Sequence, residues 1–389
     1  LGVITKGVGF LPLLMIPAWV AFAGRGRAHP LSAGQAFSGL VLLLAAIAVW
    51  VVPMIIVTTA SGDPGLIAYR DEILLRQTAE RYVDAWGHHR PWHYYLSSVL
   101  PWAWLPLVLA LPWAAPNWWR RLRRGDSRTL LPLSGVLLMV VFFSLSSGKR
   151  GVYMTPTAPL LVWAMAPLLP GLLARRGLNW LASAVLLLLG GSFLLIGLLG
   201  WAGLESLVRQ AERYELQPWG WMSLVGASAV VLIAWLRPRR GMAALAAWLG
   251  VVWLCYSTFG YRDMDSTRSP RDMMQEVAAV TGEQAWLGLP DFGEEFVLQA
   301  RQPVVHFGYS TPAAPQFRRA FSWLAEAPGQ RWLLVAHEHA GLIECVSMPE
   351  VIDLGFQNSQ NWWLVPGKAA RSCPGDEAAA PLYTAPTTL

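Results

Sequence analysis

The stretch FFSLSSGKRGVYMTPTAPLL, residues 142–161, decides the fold, because one strongly apolar helix ends within it and a second begins. Between them the chain makes a short polar hairpin that carries Lys149 and Arg150. Desolvating two cations at a membrane surface is costly, so the pair predicts an anionic partner such as a phosphate headgroup. The hydroxyls of Ser147 and Tyr153 could add hydrogen bonds to it. The alternative is that both cations snorkel to water at a helix end.

The composition of the whole chain is that of a membrane protein. Of its 389 residues 54% are hydrophobic and 14% are charged, and the mean hydropathy is +0.39. A soluble domain is usually about a quarter charged. The 22 tryptophans and 28 prolines fit a bundle of spans with interfacial aromatic belts and broken helix ends. In a membrane protein, a net charge of +6 reflects the positively charged connections on one side of the membrane rather than a nucleic-acid partner. We therefore predict membrane lipids and no nucleic acid as partners.

About eight segments are apolar and long enough, or nearly so, for a helix to cross a bilayer. They are residues 8–23, 36–57, 94–115, 129–146, 153–173, 180–202, 219–236 and 241–260. Arginine clusters with almost no acid occupy alternate connections, at residues 25–27, 120–128, 175–176 and 237–240. The positive-inside rule makes that side cytoplasmic, so the Lys149 hairpin and everything after Tyr261 face outward.

The sequence therefore predicts an α-helical polytopic membrane protein with about eight transmembrane helices, followed by a small extracytoplasmic α/β domain. The predicted parts are a membrane module at 1–262 with an outer amphipathic loop at 58–93, an α/β domain at 263–368 and a disordered tail at 369–389. In the outer loop, apolar residues recur at helical spacing, namely Leu75, Ala79, Tyr82 and Trp86. Short apolar runs such as AWLGL and WLLVA predict strands.

The cysteines and histidines give weaker signals. Cys345 and Cys373 could form a disulfide if the α/β domain is extracytoplasmic. His88, His89 and His93 invite a metal, but Pro91 interrupts their helical spacing and no carboxylate falls at a familiar ligand interval, which favours interfacial hydrogen bonding. His337 and His339 in HEHAG do not make the H-E-x-x-H pattern, so no catalytic role is expected of them. The sequence contains no glycine-rich nucleotide loop and no nucleophile elbow.

Two further cations are candidates for the same anionic partner. Lys6 in ITKGVGF lies at the outer end of the first apolar segment, where an interfacial anchor is the alternative. Arg81 lies on the outer loop beside Glu80 and Asp84, so an ion pair within the helix is the alternative for it.

These motifs resemble, in their order, those of GT-C membrane glycosyltransferases of the protein-mannosyltransferase and aminoarabinose-transferase type. They are TKG at 5–7, RQTAERY at 76–82, HHRPWHYYL at 88–96, PWAWLPL at 101–107 and the hairpin at 142–161. The pattern F-S-x-x-x-G-K-x-x-x-Y-x-x-P is the most specific part, and the resemblance covers residues 1–370.

Members of that family take a sugar from a polyprenyl phosphate carrier at the outer face of the membrane and pass it to a lipid or protein acceptor. The resemblance implies that Arg81 and Tyr153 line the carrier-phosphate site, with Lys149 and Lys6 at cationic motif positions nearby. The supporting positions are Arg150, Ser147, His88, Tyr94 and Tyr95.

The chain departs from the family pattern in two places. The family's catalytic aspartate lies in the first outer loop and nothing here matches it, so the general base is expected upstream of Leu1, in a longer protein. The aminoarabinose transferases also carry a histidine, where a divalent metal can bind, three residues before the matching arginine. That position is Thr78 here, so the resemblance carries over no metal and no certain cofactor.

The resemblance thus implies a multi-pass glycosyltransferase of the bacterial inner membrane with a periplasmic C-terminal domain. It would move a sugar from an undecaprenyl phosphate carrier to a lipid A-like or other envelope acceptor. The alternative is a non-catalytic membrane protein that binds polyprenyl phosphate or acts as a scaffold. A flippase for the carrier is disfavoured, because its charges would be expected near the midplane of the membrane rather than at the outer surface.

Overall fold

The structure is a computed structural model that describes residues 9, 11, 13, 15–22, 32–62, 64–74, 89–291, 293–308 and 311–385. The chain divides into two compact units. Unit 1 comprises Leu1–Leu187 and Leu232–Ala247, and unit 2 comprises Leu188–Val231 and Trp248–Leu389.

Seventeen α-helices and six strands are described. The helices are α1 (Met15–Phe22), α2 (Ala33–Ser61), α3 (Pro64–Asp71), α4 (Leu100–Ala103), α5 (Leu111–Arg123), α6 (Ser127–Leu145), α7 (Thr157–Met165), α8 (Leu169–Leu173), α9 (Arg176–Trp201), α10 (Glu205–Arg213), α11 (Trp219–Leu236), α12 (Gly241–Cys255), α13 (Tyr261–Asp263), α14 (Asp265–Arg268), α15 (Arg271–Thr281), α16 (Glu294–Gln299) and α17 (Ala313–Glu326). The strands are β1 (Trp286–Leu289), β2 (Val304–His306), β3 (Arg331–Ala336), β4 (Ile352–Gln357), β5 (Gln360–Pro366) and β6 (Tyr383–Ala385).

Long apolar helices dominate the part of the chain before residue 264. Over the described residues, six helical segments are long and apolar enough to cross a membrane: Ala33–Ser61, Arg128–Leu145, Gly151–Leu173, Arg176–Trp201, Trp219–Leu236 and Pro238–Asp263. Together with the sheet that follows them, they confirm the predicted fold class. The predicted span at 8–23 is described only in part, where α1 is helical.

Helix α2 has residues at both ends that explain where it begins and ends. The Ser32 hydroxyl accepts a hydrogen bond from the backbone N–H of Gln35, and the Gln35 side chain accepts one from the Ser32 N–H. This reciprocal cap satisfies two N–H groups that the first turn leaves without partners. The helix ends at Ser61, and the next residue, Gly62, has a φ of +66° that suits a glycine.

The predicted segment at 94–115 is not one helix. The stretches Tyr95–Ala103 and Leu107–Arg123 meet at an angle of 106°, and the pair is a candidate for a seventh span. Pro106 lies at the break. Proline has no N–H to donate and disfavours a helical conformation in the residue before it, which explains why the helix cannot continue.

Within unit 2, a seam of small residues lets α9 and α11 approach closely. The antiparallel contacts pair Gly190 with Ala229, Leu194 with Gly226, Gly197 with Ser223 and Gly200 with Trp219. A methyl group added to any of these four glycines would overlap the residue opposite. Small residues are common where membrane helices pack, because they let the two backbones make extensive van der Waals contact.

The strands form one mixed sheet with the order β4-β5-β3-β1-β2-β6. β2, β1 and β3 run parallel, and the outer strands pair antiparallel. Helices cover both faces: Met273 and Val277 of α15 pack with Leu287 of β1, and Phe317 and Phe321 of α17 pack on the opposite face. This is the small α/β arrangement predicted for the region.

The prediction of a disordered tail at 369–389 is wrong for residues 369–385. Gly367–Ala370 forms a 3₁₀ turn, and a disulfide joins Cys373 to Cys345, with 5.1 Å between the Cα atoms. β6 then pairs with the edge strand β2, and the Tyr383 ring stacks on His306 at 4.8 Å between centroids. The small, proline-rich composition suggested disorder, but the disulfide and the open edge of β2 fix the segment.

Candidate carrier-phosphate site

The hairpin at residues 146–154 holds a buried cation. α6 ends at Leu145, Ser146 is extended, and a 3₁₀ turn at Gly151–Met154 leads into α7. Lys149 lies between them with 5% of its surface exposed. Its Nζ donates a hydrogen bond to the carbonyl oxygen of Ser146.

The charge of Lys149 has no acidic partner among the residues that the structure describes. No carboxylate of these residues lies within 4.0 Å of Nζ, and the Ser146 carbonyl is its hydrogen-bond acceptor among them. Because an ammonium carries three N–H donors, one carbonyl leaves donors and charge for a further acceptor. A buried ammonium without a counter-charge is costly, so this geometry is suited to holding an anion.

The segment that precedes α4 lies against this hairpin. His89 and Gly148 form an isolated antiparallel backbone bridge. Tyr95, which is completely buried, donates from its hydroxyl to the carbonyl oxygen of Arg150 at 3.4 Å. The segment from His89 to Tyr95 therefore supports the hairpin from one side and fixes the backbone around Lys149.

The structure brings several of the predicted site residues together. Tyr153 is half-buried and stacks on Phe143, with 5.1 Å between ring centroids. Ser147 is half-buried and Arg150 is exposed, both on the same hairpin as Lys149. Tyr94 contacts the ring of Tyr95 at 5.3 Å between centroids.

Other predicted site residues lie outside the described part of the chain. They are Lys6, Arg81 and His88, together with Thr78. The amphipathic helix predicted around Leu75–Trp86 also lies outside it. Their roles stay predictions, and so does the interpretation that no metal is carried over.

Two of the described histidines, His93 and His339, lie within hydrogen-bond distance of another side chain. His93 Nδ1 lies 3.4 Å from the Ser97 hydroxyl. In the α/β part, His339 Nε2 lies 2.8 Å from a carboxylate oxygen of Asp291, and Glu338 is near enough for the three to form a possible metal-ligand group. Sequence analysis missed this group, since the strand order that brings Asp291 to the end of β3 is not visible in the spacing.

Sequence analysis also missed Arg90. Its guanidinium lies 5.9 Å from the centroid of the Tyr94 ring, one residue after the backbone bridge to Gly148. No pattern in the sequence links residue 89 to residue 148. The one signal was the density of charged and aromatic residues in both segments.

Burial gives Lys149 a pH dependence that can be measured. Desolvation lowers the pKa of the Lys149 amine from its ordinary value of 10.5. At pH values between these two pKa values, the unfolded chain binds more protons than the folded protein does. The free energy of unfolding of the free protein should therefore rise with pH over that range. Phosphate binding, which needs the ammonium, should weaken over the same range.

The measurement is an NMR titration with ¹³C-labelled lysine, which is simple because Lys6, Lys149 and Lys368 are the chain's lysines. The Lys149 signal should titrate below the ordinary lysine pKa of 10.5. A Lys149 signal that titrates at or above that ordinary value would contradict the burial of its charge.

The fold is that of a multi-pass helical membrane protein with a small α/β part. The structure is similar to the crystal structure of ArnT from Cupriavidus metallidurans bound to undecaprenyl phosphate, with a TM-score of 0.50 and 18% identity. That comparison covers 94% of this chain and 66% of the other. The apo structure of the same ArnT gives a TM-score of 0.50 and 16% identity, over 94% and 74% of the two chains.

The sequence is also similar to curated proteins of this type. The chain is 35% identical over 169 residues to an undecaprenyl phosphate-alpha-4-amino-4-deoxy-L-arabinose arabinosyl transferase from Pseudomonas aeruginosa, and 34% identical to one from Pseudomonas paraeruginosa. The match covers 42% of this chain and 29% of each relative. No family model matches the chain. The predicted resemblance to the aminoarabinose-transferase type is confirmed.

Proposed function

We propose that this chain is part of a glycosyltransferase that moves a sugar from a polyprenyl phosphate carrier to an acceptor at the outer face of the bacterial inner membrane. The observation that carries the proposal is Lys149, a buried cation whose charge no described carboxylate balances. A phosphate would supply that balance. The structurally similar ArnT was crystallised with undecaprenyl phosphate.

In this proposal the carrier phosphate binds to Lys149, Tyr153, Arg81 and Lys6. When the glycosidic bond breaks, negative charge grows on the phosphate as it leaves. A fixed ammonium stabilises that charge without having to reorganise, which is how preorganised electrostatics lower a barrier. Arg150 and Ser147 lie on the same hairpin and Tyr95 holds its backbone, so they would support the site. Tyr94, next to Tyr95, and His88 complete the supporting set.

The donor would be an undecaprenyl phosphate-linked sugar, and the acceptor a lipid A-like or other envelope molecule. The relatives' names specify undecaprenyl phosphate and aminoarabinose. The matched part of the chain spans 29% of the length of those relatives. The activity therefore belongs to the proposal, as do the donor and the acceptor.

The C-terminal α/β part would lie in the periplasm. The Cys345–Cys373 disulfide supports this location, because structural disulfides persist in oxidising compartments. The arginine-rich connections support it as well, since the positive-inside rule places them on the cytoplasmic side.

Carrier recognition is tested with the purified chain in detergent, titrated with undecaprenyl phosphate or with undecaprenol, which lacks the phosphate. Native mass spectrometry should show that the phosphate form binds about 30-fold tighter or more, because its charge-assisted hydrogen bonds are missing from the alcohol. Equal binding of the two lipids would contradict phosphate recognition. Sugar transfer itself is tested in native membranes, by measuring with mass spectrometry the mass that the transferred sugar adds to lipid A.

A further inference from the structure

A second cationic region lies where α5 ends and α6 begins. Five arginines fall within nine residues there, and we call them the arginine cluster: Arg120, Arg121, Arg123, Arg124 and Arg128. The one acid in that stretch is Asp126, whose carboxylate lies 3.0 Å from Arg121. The cluster therefore keeps a large excess of positive charge.

The exposed face of α5 changes along the helix from apolar to cationic. Its exposed residues are, in order, Pro112, Ala115, Pro116, Trp119, Arg120 and Arg123. Trp119 marks the change and is 58% exposed, and the guanidinium of Arg123 lies 4.8 Å from the centroid of its ring. An exposed tryptophan beside cations is typical of the depth at which acyl chains give way to headgroups.

The cluster lies at the opposite end of α6 from the Lys149 hairpin. The 19 residues of α6 rise about 28 Å, which is close to the thickness of a bilayer core. The arginine cluster and the Lys149 hairpin are thus near opposite surfaces of the membrane. An anion bound at the cluster belongs to a different leaflet from the carrier phosphate.

We infer that the arginine cluster binds the phosphate groups of anionic phospholipids in the leaflet opposite the Lys149 hairpin. Guanidinium groups match phosphate oxygens in pairs of parallel hydrogen bonds, and a cluster of them favours a negatively charged surface. A phospholipid matches both the apolar and the cationic part of the exposed face of α5. Its acyl chains would cover the apolar part, and its headgroup would contact the arginines.

The test is native mass spectrometry of the full chain in a neutral detergent, titrated with phosphatidylglycerol or with zwitterionic phosphatidylcholine. The wild-type chain should bind phosphatidylglycerol about tenfold tighter or more, and the preference should shrink as salt rises. In the triple variant R120Q/R123Q/R124Q the preference should fall by at least that factor, since each arginine near a membrane surface contributes roughly fivefold.

The matched control is R301Q/R318Q/R371Q, which removes the same charge from three exposed arginines of the α/β part. It should keep the wild-type preference. A control that loses the preference to the same extent would overturn the inference, because net charge alone would then explain binding. If the cluster variant fails to fold, the titrations of the wild-type chain still test the inference. Equal affinity of the wild-type chain for phosphatidylglycerol and phosphatidylcholine would overturn it.

Discussion

Lys149→Met is expected to weaken undecaprenyl phosphate binding by roughly 30- to 100-fold while leaving the free protein at least as stable. Methionine keeps much of the length of the side chain but removes the charge. The loss of binding follows from removing a charge-assisted hydrogen bond in a partly dry site, worth about 2–3 kcal/mol. Stability should hold because the free protein no longer has to bury a cation without a carboxylate partner among its described residues.

Binding is measured by native mass spectrometry and stability by thermal unfolding. Lys368→Met is the matched control, since Lys368 is 60% exposed and lies 3.8 Å from Glu350 on the surface. Lys149→Arg, which keeps the charge, should retain part of the affinity. A Lys149→Met variant that binds as tightly as the wild type contradicts the site, and one that unfolds easily indicates a structural role instead.

Transfer should be lost together with binding. In the complete protein, Lys149→Ala and Arg81→Ala should each abolish sugar transfer without preventing insertion into the membrane. Wild-type transfer by both variants would contradict the proposed phosphate site.

Removal of the Cys345–Cys373 disulfide should cost about 3–4 kcal/mol of stability in the α/β part. The bridge closes a loop with a sequence separation of 28 residues, and chain-entropy arguments give this magnitude for such a loop. It also holds the segment that carries β6 to the edge of the sheet. The double variant Cys345→Ser/Cys373→Ser should therefore unfold at lower denaturant concentration and be cleaved more rapidly by protease near residues 374–382.

Cys255→Ser is the control for loss of a cysteine alone, because Cys255 is the buried free cysteine in the described chain. Reduction of the wild-type protein should reproduce the effect of the double variant without any substitution. If neither treatment changes the unfolding curve or the rate of cleavage, the disulfide does not constrain this region.

The membrane architecture could be predicted from the sequence because its signals are local. Each span is a long apolar run, and the polar stretch between Leu145 and Gly151 separates two of these runs. The strands of the α/β part also follow from short apolar runs. The break at Pro106 was visible as a residue but not as a bend, since proline fixes where a helix stops and not the direction of the next.

The contacts that build the site could not be predicted in the same way. The bridge between His89 and Gly148 joins backbone atoms of residues far apart in the chain. Backbone pairing does not depend on which side chains the two residues carry, so the sequence does not indicate it. The order of the tail is hidden in the sequence for a similar reason. β6 has three residues, too few for a pattern, and it forms because β2 offers an open edge.

The glycine seam between α9 and α11 also limits how these two helices can pair. None of its contacts depends on charge, so it cannot form through long-range attraction while the helices are apart. The two helices pack closely only when the glycines meet their partners in register. A shift of one residue would set side chains against one another and leave a gap for lipid. The seam therefore sets the register between two helices whose uniformly apolar surfaces would not by themselves specify which residues meet.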